Sequence, residues 1–243
     1  MTPSVAPDLY GLALLEHLGG CRAPVHLRRD DGRLSPLHLG TYFAEPAAFA
    51  RHERILVDRA TGRVLDLGAG AGRLGLHLRG RTAGRRGAEP LAVTSVDNSP
   101  RACECLRRRG LEPVVQASWQ EMAGAVQWRR RWDSIFLLGG GIGMAGTAAG
   151  LERLCAAMAS WLKPDGLALL AATAPPAGED LRSLRLRVEY RGMIGEWFSW
   201  LLVSSACLAA CAAAVGLRVE GGPHHDQDDD YGIILCRPET EEA

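Results

Sequence analysis

The stretch Val64-Leu65-Asp66-Leu67-Gly68-Ala69-Gly70-Ala71-Gly72-Arg73 decides the fold of this 243-residue chain. Strand-forming residues run into three glycines at alternate positions, and a helical pattern follows at once. This order predicts a strand, a tight turn and the first turn of a helix. Because glycine lacks a Cβ, a ligand can lie against the backbone of the turn. Unpaired N–H groups at the positive end of the helix dipole then favour a nucleotide-like ligand.

The composition is that of one ordinary globular domain. Apolar residues make up 47% of the chain and charged residues 23%, which is enough material for a sizeable core. The formal net charge is zero, so the chain has no broad phosphate-binding surface and we expect no nucleic-acid partner. The first residues lack the pattern of a signal peptide. The most apolar stretch, residues 197–215, predicts a buried helix and not a membrane span, so we expect a cytoplasmic protein with no membrane partner.

Strands and helices alternate along the middle of the chain. Strands are predicted at residues 63–67, 91–96, 111–116, 133–138 and 167–172. Helices are predicted between them at residues 72–78, 99–109, 119–125 and 147–162, with a mobile connection at 80–90 and a turn at 163–166. This alternation predicts a parallel sheet with helices on both faces. Continuously apolar strands agree, because parallel strands are buried on both sides.

The two ends of the chain depart from this alternation. Near the start, a helix capped by Asp8 is predicted over 8–19 and another over 45–59, while 37–43 fits a strand or a helix. Near the end, the pattern predicts a half-exposed strand at 184–190 and a helix capped by Ser204 or Ser205, running to about Val215. Two strands, 217–220 and 231–236, then predict an antiparallel edge. We therefore divide the chain into a cap segment (1–60), a nucleotide-binding domain (61–237) and a tail (238–243).

Two kinds of nucleotide site compete for the glycine turn. A dinucleotide fold requires the spacing G-x-G-x-x-G, whose last glycine falls here on Arg73. The spacing in this chain is G-x-G-x-G. An acid, Asp97, closes the second predicted strand, where a carboxylate can accept hydrogen bonds from ribose hydroxyls. Because Arg73 stands where the dinucleotide motif requires its last glycine, the spacing disfavours a nicotinamide dinucleotide.

These motifs resemble the class I S-adenosylmethionine-dependent methyltransferase family. The resemblance rests on Asp66-x-Gly68-x-Gly70-x-Gly72 with Asp97 and covers most of the chain. Further stretches resemble a bacterial small-molecule branch of that family: Arg29-Asp30-Asp31-Gly32, Tyr42-Phe43, the stretch from Leu137 to Gly143, Tyr190-Arg191-Gly192 and the stretch from Trp197 to Trp200. The family implies a Rossmann-like α/β fold with a seven-stranded, mostly parallel sheet, an antiparallel last strand, helices on both faces and an N-terminal helical cap.

The resemblance also implies a cofactor, S-adenosylmethionine, and the residues that hold it. Gly68, Gly70 and Gly72 would approach the methionine moiety and the ribose. Asp66 would orient the loop or hold the methionine ammonium through water, and Asp97 would bind the ribose hydroxyls. The remaining implied contacts are Ala69 and Arg73 in the loop, Asn98 and Ser118-Trp119 near the adenine, and Leu138 and Gly139 beside the sulfonium.

The exit of the fourth strand departs from that branch. Two asparagines are usual there, and this chain has Gly140 and Gly141. No polar side chain stands where amine methyltransferases place one, so methyl transfer to a small molecule is not the only function to consider. One alternative is cleavage or cyclisation of the cofactor's own aminobutyrate chain, which releases methylthioadenosine. The other is binding of the cofactor without catalysis. Candidates for acceptor binding are Tyr42, Gly140, Gly141, Tyr190, Trp197 and Trp200.

The remaining predictions concern metal ions and assembly. The stretch from His224 to Asp230 clusters histidine and aspartate, but it lacks the glycine and distal glutamate of a calcium loop. We expect a solvated hairpin tip there and no metal site. The expected partner is a small-molecule substrate of specialised metabolism, and the expected assembly is a monomer or homodimer.

Overall fold

The structure is a computed structural model that describes residues 8–81, 90–226 and 229–238. These residues form seven α-helices: α1 (Leu9–Leu18), α2 (Arg51–Val57), α3 (Arg73–Leu78), α4 (Pro100–Arg108), α5 (Trp119–Ala123), α6 (Ala148–Trp161) and α7 (Ser205–Ala213). They also form twelve strands: β1 (Val25–Arg29), β2 (Leu34–Pro36), β3 (Arg63–Leu67), β4 (Ala92–Asp97), β5 (Val114–Gln116), β6 (Trp132–Leu137), β7 (Leu162–Thr173), β8 (Leu181–Tyr190), β9 (Met193–Ile194), β10 (Phe198–Val203), β11 (Arg218–His225) and β12 (Asp230–Cys236).

Seven strands form the main sheet in the order β11-β12-β7-β6-β3-β4-β5. The five strands from β3 to β7 run parallel, whereas β12 pairs antiparallel with β7 and β11 antiparallel with β12. The predicted Rossmann-like architecture and its antiparallel edge are therefore confirmed. Because the parallel strands end at the same edge, the residues that follow β3, β4, β5 and β6 are brought near one another.

The core lies on both faces of this sheet. Ile135, Phe136 and Leu137 of β6 are fully buried, as continuous apolar strands predict. Helix α6 covers one face with the predicted stripe that includes Leu151 and Met158, both fully buried. None of the described helices is long and apolar enough to cross a membrane.

A second, antiparallel sheet joins the N-terminal segment to the insertion that follows β7. Its order is β10-β8-β1-β2, and β9 also pairs with β8. Val25 of β1 lies opposite Tyr190 of β8, and Phe198 of β10 lies opposite Leu186. The strand predicted at 184–190 is confirmed as part of β8, but its pairing with β1 was not predicted, because strand partners far apart in the chain leave no local signal.

The helix predicted over residues 45–59 is wrong as one element. A 3-10 turn at Pro46–Ala48 is followed by extended backbone at Phe49 and Ala50, and α2 begins only at Arg51. Phe49 is buried, and the guanidinium of Arg73 lies 4.7 Å from its ring centre. Burying Phe49 in this way breaks the helix. The ambiguous stretch 37–43 forms a 3-10 helix at Leu39–Phe43.

Two further predictions near the C-terminal half are corrected. Residues 197–215 do not form one buried helix, because Phe198–Val203 is the strand β10 and only Ser205–Ala213 is helical. Pairing of β10 with β8, together with the burial of Leu201 and Val203, overrides the apolar run that suggested a helix. The turn predicted at 163–166 is also wrong, because these residues belong to β7. Within the strand, Asp165 has a φ angle of 58°.

Several helix caps are confirmed. Asp8 accepts from the Gly11 amide at 2.9 Å, Ser99 from Ala102 at 2.9 Å and Ser204 from Cys207 at 3.1 Å. The third strand of the main sheet begins at Val114 and not at 111, since Pro113 has no N–H to donate. Most of the connection predicted as mobile, and nearly all of the tail after 237, lie outside the described residues.

Candidate functional site

The glycine turn after β3 is held in a conformation that favours glycine. Gly68, Gly70 and Gly72 have φ angles of 75°, 56° and 79°. A Cβ on Gly70 would lie 3.0 Å from the Tyr10 hydroxyl oxygen, and a Cβ on Gly72 would lie 2.3 Å from Leu111 Cδ1. Gly72 therefore permits close packing beneath the turn, whereas Gly68 and Gly70 leave a narrow surface for a ligand.

Asp97 at the end of β4 is fastened to this turn. Its Oδ2 accepts from the Gly70 amide and its Oδ1 from the Ser99 amide, each at 2.9 Å. Burial raises the pKa of Asp97, while the Ser99 and Gly70 amides oppose the rise. A carboxylate offers about four lone-pair sites, so Asp97 retains capacity for further donors. Asn98, the next residue, is exposed beside it.

Asp66 lies within β3, and its carboxylate is buried beneath the turn. Its Oδ2 is buried and has no hydrogen-bond partner among the described residues. Burial raises the pKa of Asp66 to about 7; Arg73 lowers it and the charge of Asp97 raises it further. A buried polar atom without a partner carries a free-energy cost, and a ligand donor at this position would remove it.

Arg73 connects three parts of the chain. Its Nη2 donates to Glu53 Oε1 of α2 at 2.5 Å, and its guanidinium lies over the ring of Phe49. The same Glu53 oxygen accepts from the Gly139 amide, after β6, at 2.9 Å. Glu53 is buried. Its link between Arg73 and the exit of β6 was not predicted, because an acid inside a predicted helix gives no sequence signal of such a contact.

Two tyrosines lie over the glycine turn. Tyr42 was predicted to bind the acceptor, and Tyr10 was missed, being read only as part of α1. Their rings meet edge to face at 5.7 Å, and their hydroxyls hydrogen-bond. Burial raises the pKa of both phenols, so both are neutral at physiological pH. The tyrosines thus bring the N-terminal segment over Gly70.

The residues after β5 are already engaged within the chain. Ser118 caps α5, and its hydroxyl donates to Glu121 Oε2 at 2.8 Å and accepts from the Glu121 amide. Trp119 is buried, and its Nε1 donates to the Met144 carbonyl at 3.2 Å. Met144 itself lies over the glycine turn, since a Cβ on Gly68 would be 3.0 Å from Met144 Cε. Trp119 and Met144 thus form one wall beside the turn.

The exit of β6 is a glycine turn without polar side chains. Gly139 and Gly140 have φ angles of 62° and 71°, and the Gly141 amide donates to the Leu138 carbonyl at 3.1 Å. Gly139 is exposed and Leu138 is half-buried. Among the described residues, the Glu53 carboxylate is the only side-chain group that accepts a hydrogen bond from an amide of this turn.

The aromatic candidates of the insertion make different contacts. Trp200 packs directly beside it, since a Cβ on Gly143 would lie 2.1 Å from Trp200 Cε2. Trp197 lies under the guanidinium of Arg187, 4.7 Å from its ring centre. Tyr190 is buried against α1, and its hydroxyl donates to Glu16 Oε2 at 2.7 Å, so this contact ties α1 to β8.

Among the residues that the structure describes, no group of three or more histidine, cysteine or acidic side chains could hold a metal ion. Residues 227 and 228 of the β11–β12 hairpin tip lie outside that range. The absence of a metal site at the tip therefore stays a prediction.

Comparison with solved structures identifies the fold. A SAM-dependent methyltransferase from Bacteroides fragilis, solved with S-adenosyl-L-homocysteine, superposes with a TM-score of 0.77 over 97% of this chain and 98% of its own, at 22% identity. The chain has the fold of these methyltransferases. The sugar N-methyltransferase KedS8 from Streptoalloteichus sp. has a TM-score of 0.54 at 20% identity, covering 82% of this chain and 88% of its own. A 1,6-didemethyltoxoflavin-N1-methyltransferase from Burkholderia thailandensis has a TM-score of 0.52 at 15% identity, covering 98% and 93%.

The resemblance predicted from the motifs is thereby confirmed at the level of the fold. No protein-family profile matches the sequence, and no curated protein sequence matches it. At these identities the likeness reaches only the architecture of the methyltransferase fold.

Proposed function

We propose that the chain is an S-adenosylmethionine-dependent methyltransferase acting on a small molecule. The observation that carries the proposal is the attachment of Asp97 to the Gly70 amide, at the edge where the parallel strands end. This arrangement presents a carboxylate with spare lone pairs beside a turn without Cβ atoms. The solved neighbours with this fold include one that holds S-adenosyl-L-homocysteine, and this supports the cofactor assignment.

The described residues fit that cofactor. In the proposal Asp97 accepts from the ribose hydroxyls, and Asn98 and Trp119 lie beside the adenine. Asp66 supplies the partnerless Oδ2 toward the methionine ammonium. The loop residues Gly68, Ala69, Gly70 and Gly72 form the cradle, and Leu138 and Gly139 flank the sulfonium. Ser118 contributes its position more than a hydrogen bond, because its hydroxyl is engaged by Glu121.

The chain's own task in methyl transfer is alignment and exclusion of water. The bound cofactor would supply an electrophilic methyl group, so a dedicated general base that takes the acceptor's proton is optional, and the proton can pass to water. Tyr10 and Tyr42 cover the turn from the N-terminal side, and Met144 covers it from the β6 side. These side chains dehydrate the position that the methyl group would occupy.

The acceptor is proposed to enter between the N-terminal segment and the exit of β6. Tyr42, Gly140 and Gly141 border this space, and Trp200 extends its wall. Trp197 precedes β10 and lies under the guanidinium of Arg187, so this ring is already engaged within the chain. We assign Tyr190 a structural role, since its hydroxyl holds Glu16. Solved neighbours described as a sugar N-methyltransferase and as a 1,6-didemethyltoxoflavin-N1-methyltransferase support a specialised-metabolite acceptor.

A second function is favoured by one feature of the exit. Gly140 and Gly141 offer no side-chain polar group to an acceptor amine, so the bound cofactor itself could be the only substrate. Intramolecular displacement would then release methylthioadenosine. If the bound cofactor is not turned over at all, the chain would be a binding protein.

We further infer that the protein is cytoplasmic and is a monomer or homodimer. In this proposal the cap segment ends at residue 60 and the nucleotide-binding domain ends at residue 237.

Incubation of the protein with S-adenosylmethionine, followed by mass spectrometry, tests these functions. The first arm contains the cofactor alone and the second adds a panel of small-molecule amines, alcohols and thiols. Methyl transfer predicts S-adenosylhomocysteine and a methylated acceptor only in the second arm. Methylthioadenosine in the first arm would reject simple methyl transfer, and no turnover in either arm would favour the binding protein.

A further inference from the structure

Three buried carboxylates converge on the candidate site, and one guanidinium lies among them. Glu53, Asp66 and Asp97 are each less than a tenth exposed. Arg73 pairs with Glu53 at 2.5 Å and interacts electrostatically with Asp66. Buried charges normally occur in neutralising pairs, because an unpaired charge in a low-dielectric interior is costly. Once Asp66 is ionised, above its pKa of about 7, the site therefore holds a surplus of negative charge.

The neighbouring groups leave this surplus in place. Tyr10 and Tyr42 are neutral because burial raises the pKa of each phenol. The Asp8 carboxylate accepts from the Ser99 hydroxyl, and the Arg101 guanidinium donates to the Asp8 backbone carbonyl. The opposite charges of Asp8 and Arg101 therefore lie next to each other and leave the surplus unchanged.

Arg109 is a further cation near the turn, and it is directed elsewhere. Its guanidinium donates to the Ala71 carbonyl and lies over the ring of Phe43, 4.9 Å from the ring centre. Among the described residues, no ion pair joins Arg109 to Glu53, Asp66 or Asp97.

Glu53 brings part of the negative charge to the exit of β6. Its Oε1 lies 2.9 Å from the Gly139 nitrogen, at the turn that flanks the sulfonium in the proposed function. The carboxylate arrives from α2 of the N-terminal segment, so the exit itself can consist of glycines. Glu53 thus supplies the polar group that Gly139, Gly140 and Gly141 lack.

We propose that Glu53 makes the site selective for a positively charged sulfonium ligand over its neutral thioether product. This inference rests on the proposed function. Methyl transfer removes the positive charge, since the electrons of the breaking S–CH3 bond stay on the sulfur. A surplus of buried negative charge stabilises the cation and gives the neutral product no such stabilisation. Loss of the charge then favours product release.

The test compares two probes by calorimetric titration at pH 8, where Asp66 is ionised. Sinefungin carries a protonated amine in place of the methylated sulfonium, and S-adenosylhomocysteine has an uncharged sulfur. Wild-type protein should bind sinefungin about tenfold more tightly than S-adenosylhomocysteine, because the Coulomb attraction to the cation is only partly offset by desolvation. Equal affinities, or tighter binding of the thioether, would overturn the inference without any variant.

Glu53→Gln isolates the charge, because a glutamine oxygen can still accept from the Gly139 amide and from Arg73. We expect the sinefungin affinity of Glu53→Gln to fall about tenfold, while the S-adenosylhomocysteine affinity stays within about threefold of wild type. Glu104→Gln is the matched control: it removes the same charge from an exposed pair with Arg108 and should change neither affinity.

The contrary results are distinct. A parallel loss of both affinities in Glu53→Gln would assign Glu53 a structural role and reject the selectivity, as would no loss at all. Failure of the wild-type protein to bind either probe would instead reject the proposed function.

Discussion

At the scale of single residues, Asp66 is the most informative acid of the chain. Its folded-state pKa is raised from 3.8 to about 7, first by burial. A folded state that holds this proton more tightly than the unfolded chain is stabilised at low pH, and this stabilisation is fully present below pH 3.8. The contribution is lost as the pH rises to about 7.

Replacing Asp66 by asparagine removes this titration while keeping the side-chain shape. We expect the unfolding free energy of wild type, relative to that of Asp66→Asn, to fall by roughly 4 kcal/mol between pH 4 and pH 8, at about 1.4 kcal/mol per pKa unit. Urea unfolding at several pH values measures it, with the exposed turn residue Asp30→Asn as control. Parallel pH curves for wild type and Asp66→Asn would contradict the raised pKa of the buried Asp66 carboxyl.

The sequence predicted the site residues that belong to one local motif. Asp66 and the glycines are contiguous, and Asp97 ends the next strand, so sheet geometry alone brings them together. Glu53 lies 20 positions before Arg73, and its contact depends on the break at Phe49 that turns α2 toward the exit of β6. Tyr10 reaches Gly70 only because α1 packs beside α4. These placements arise from tertiary packing, which no local pattern encodes.

At the scale of elements, the contact between β10 and the exit of β6 shapes the proposed acceptor space. A Cβ on Gly143 would lie only 2.1 Å from Trp200 Cε2 of β10. The strand itself could not be predicted, because its apolar residues also suit a buried helix. Only pairing with β8 and packing against α6 and α7 decide between the two.

Gly143→Ala tests this packing. The added methyl group forces Trp200 and β10 to shift, so we expect the unfolding free energy to fall by about 1–3 kcal/mol, as for other overpacked cores. Gly40→Ala is the control, since a Cβ at Gly40 meets nothing within 4 Å. Chemical denaturation of the two variants measures the difference. Equal stability of Gly143→Ala and wild type would contradict the close packing of β10 on the exit.

At the scale of the whole molecule, β10 of the second sheet shares a hydrophobic cluster with the main sheet. Leu201 and Val203 of β10 are buried in the cluster that contains Leu65 of β3 and Ile135 of β6. The Tyr231 hydroxyl of β12 donates to the Val203 carbonyl at 2.9 Å, which adds a buried hydrogen bond between the sheets. The cap segment is therefore fastened to the main sheet through β8 and β10.

This shared core predicts that the two sheets unfold together. Native-state hydrogen exchange should give amides in the middle of β8 and β10 the same opening free energy as amides in β3 and β6, because neither sheet can open without exposing the common cluster. Opening of β8 and β10 at a clearly lower free energy than β3 would show that the second sheet is a separate cooperative unit.

The central claim is that Asp97 and the glycine turn bind the adenosyl cofactor. Calorimetric titration of S-adenosylhomocysteine into wild type and Asp97→Ala tests it most directly. We expect one saturable site in wild type and an affinity weaker by about 1–3 kcal/mol in Asp97→Ala, the cost of losing hydrogen bonds to a charged group. No heat of binding at millimolar ligand in wild type, or the same affinity in both proteins, would contradict it.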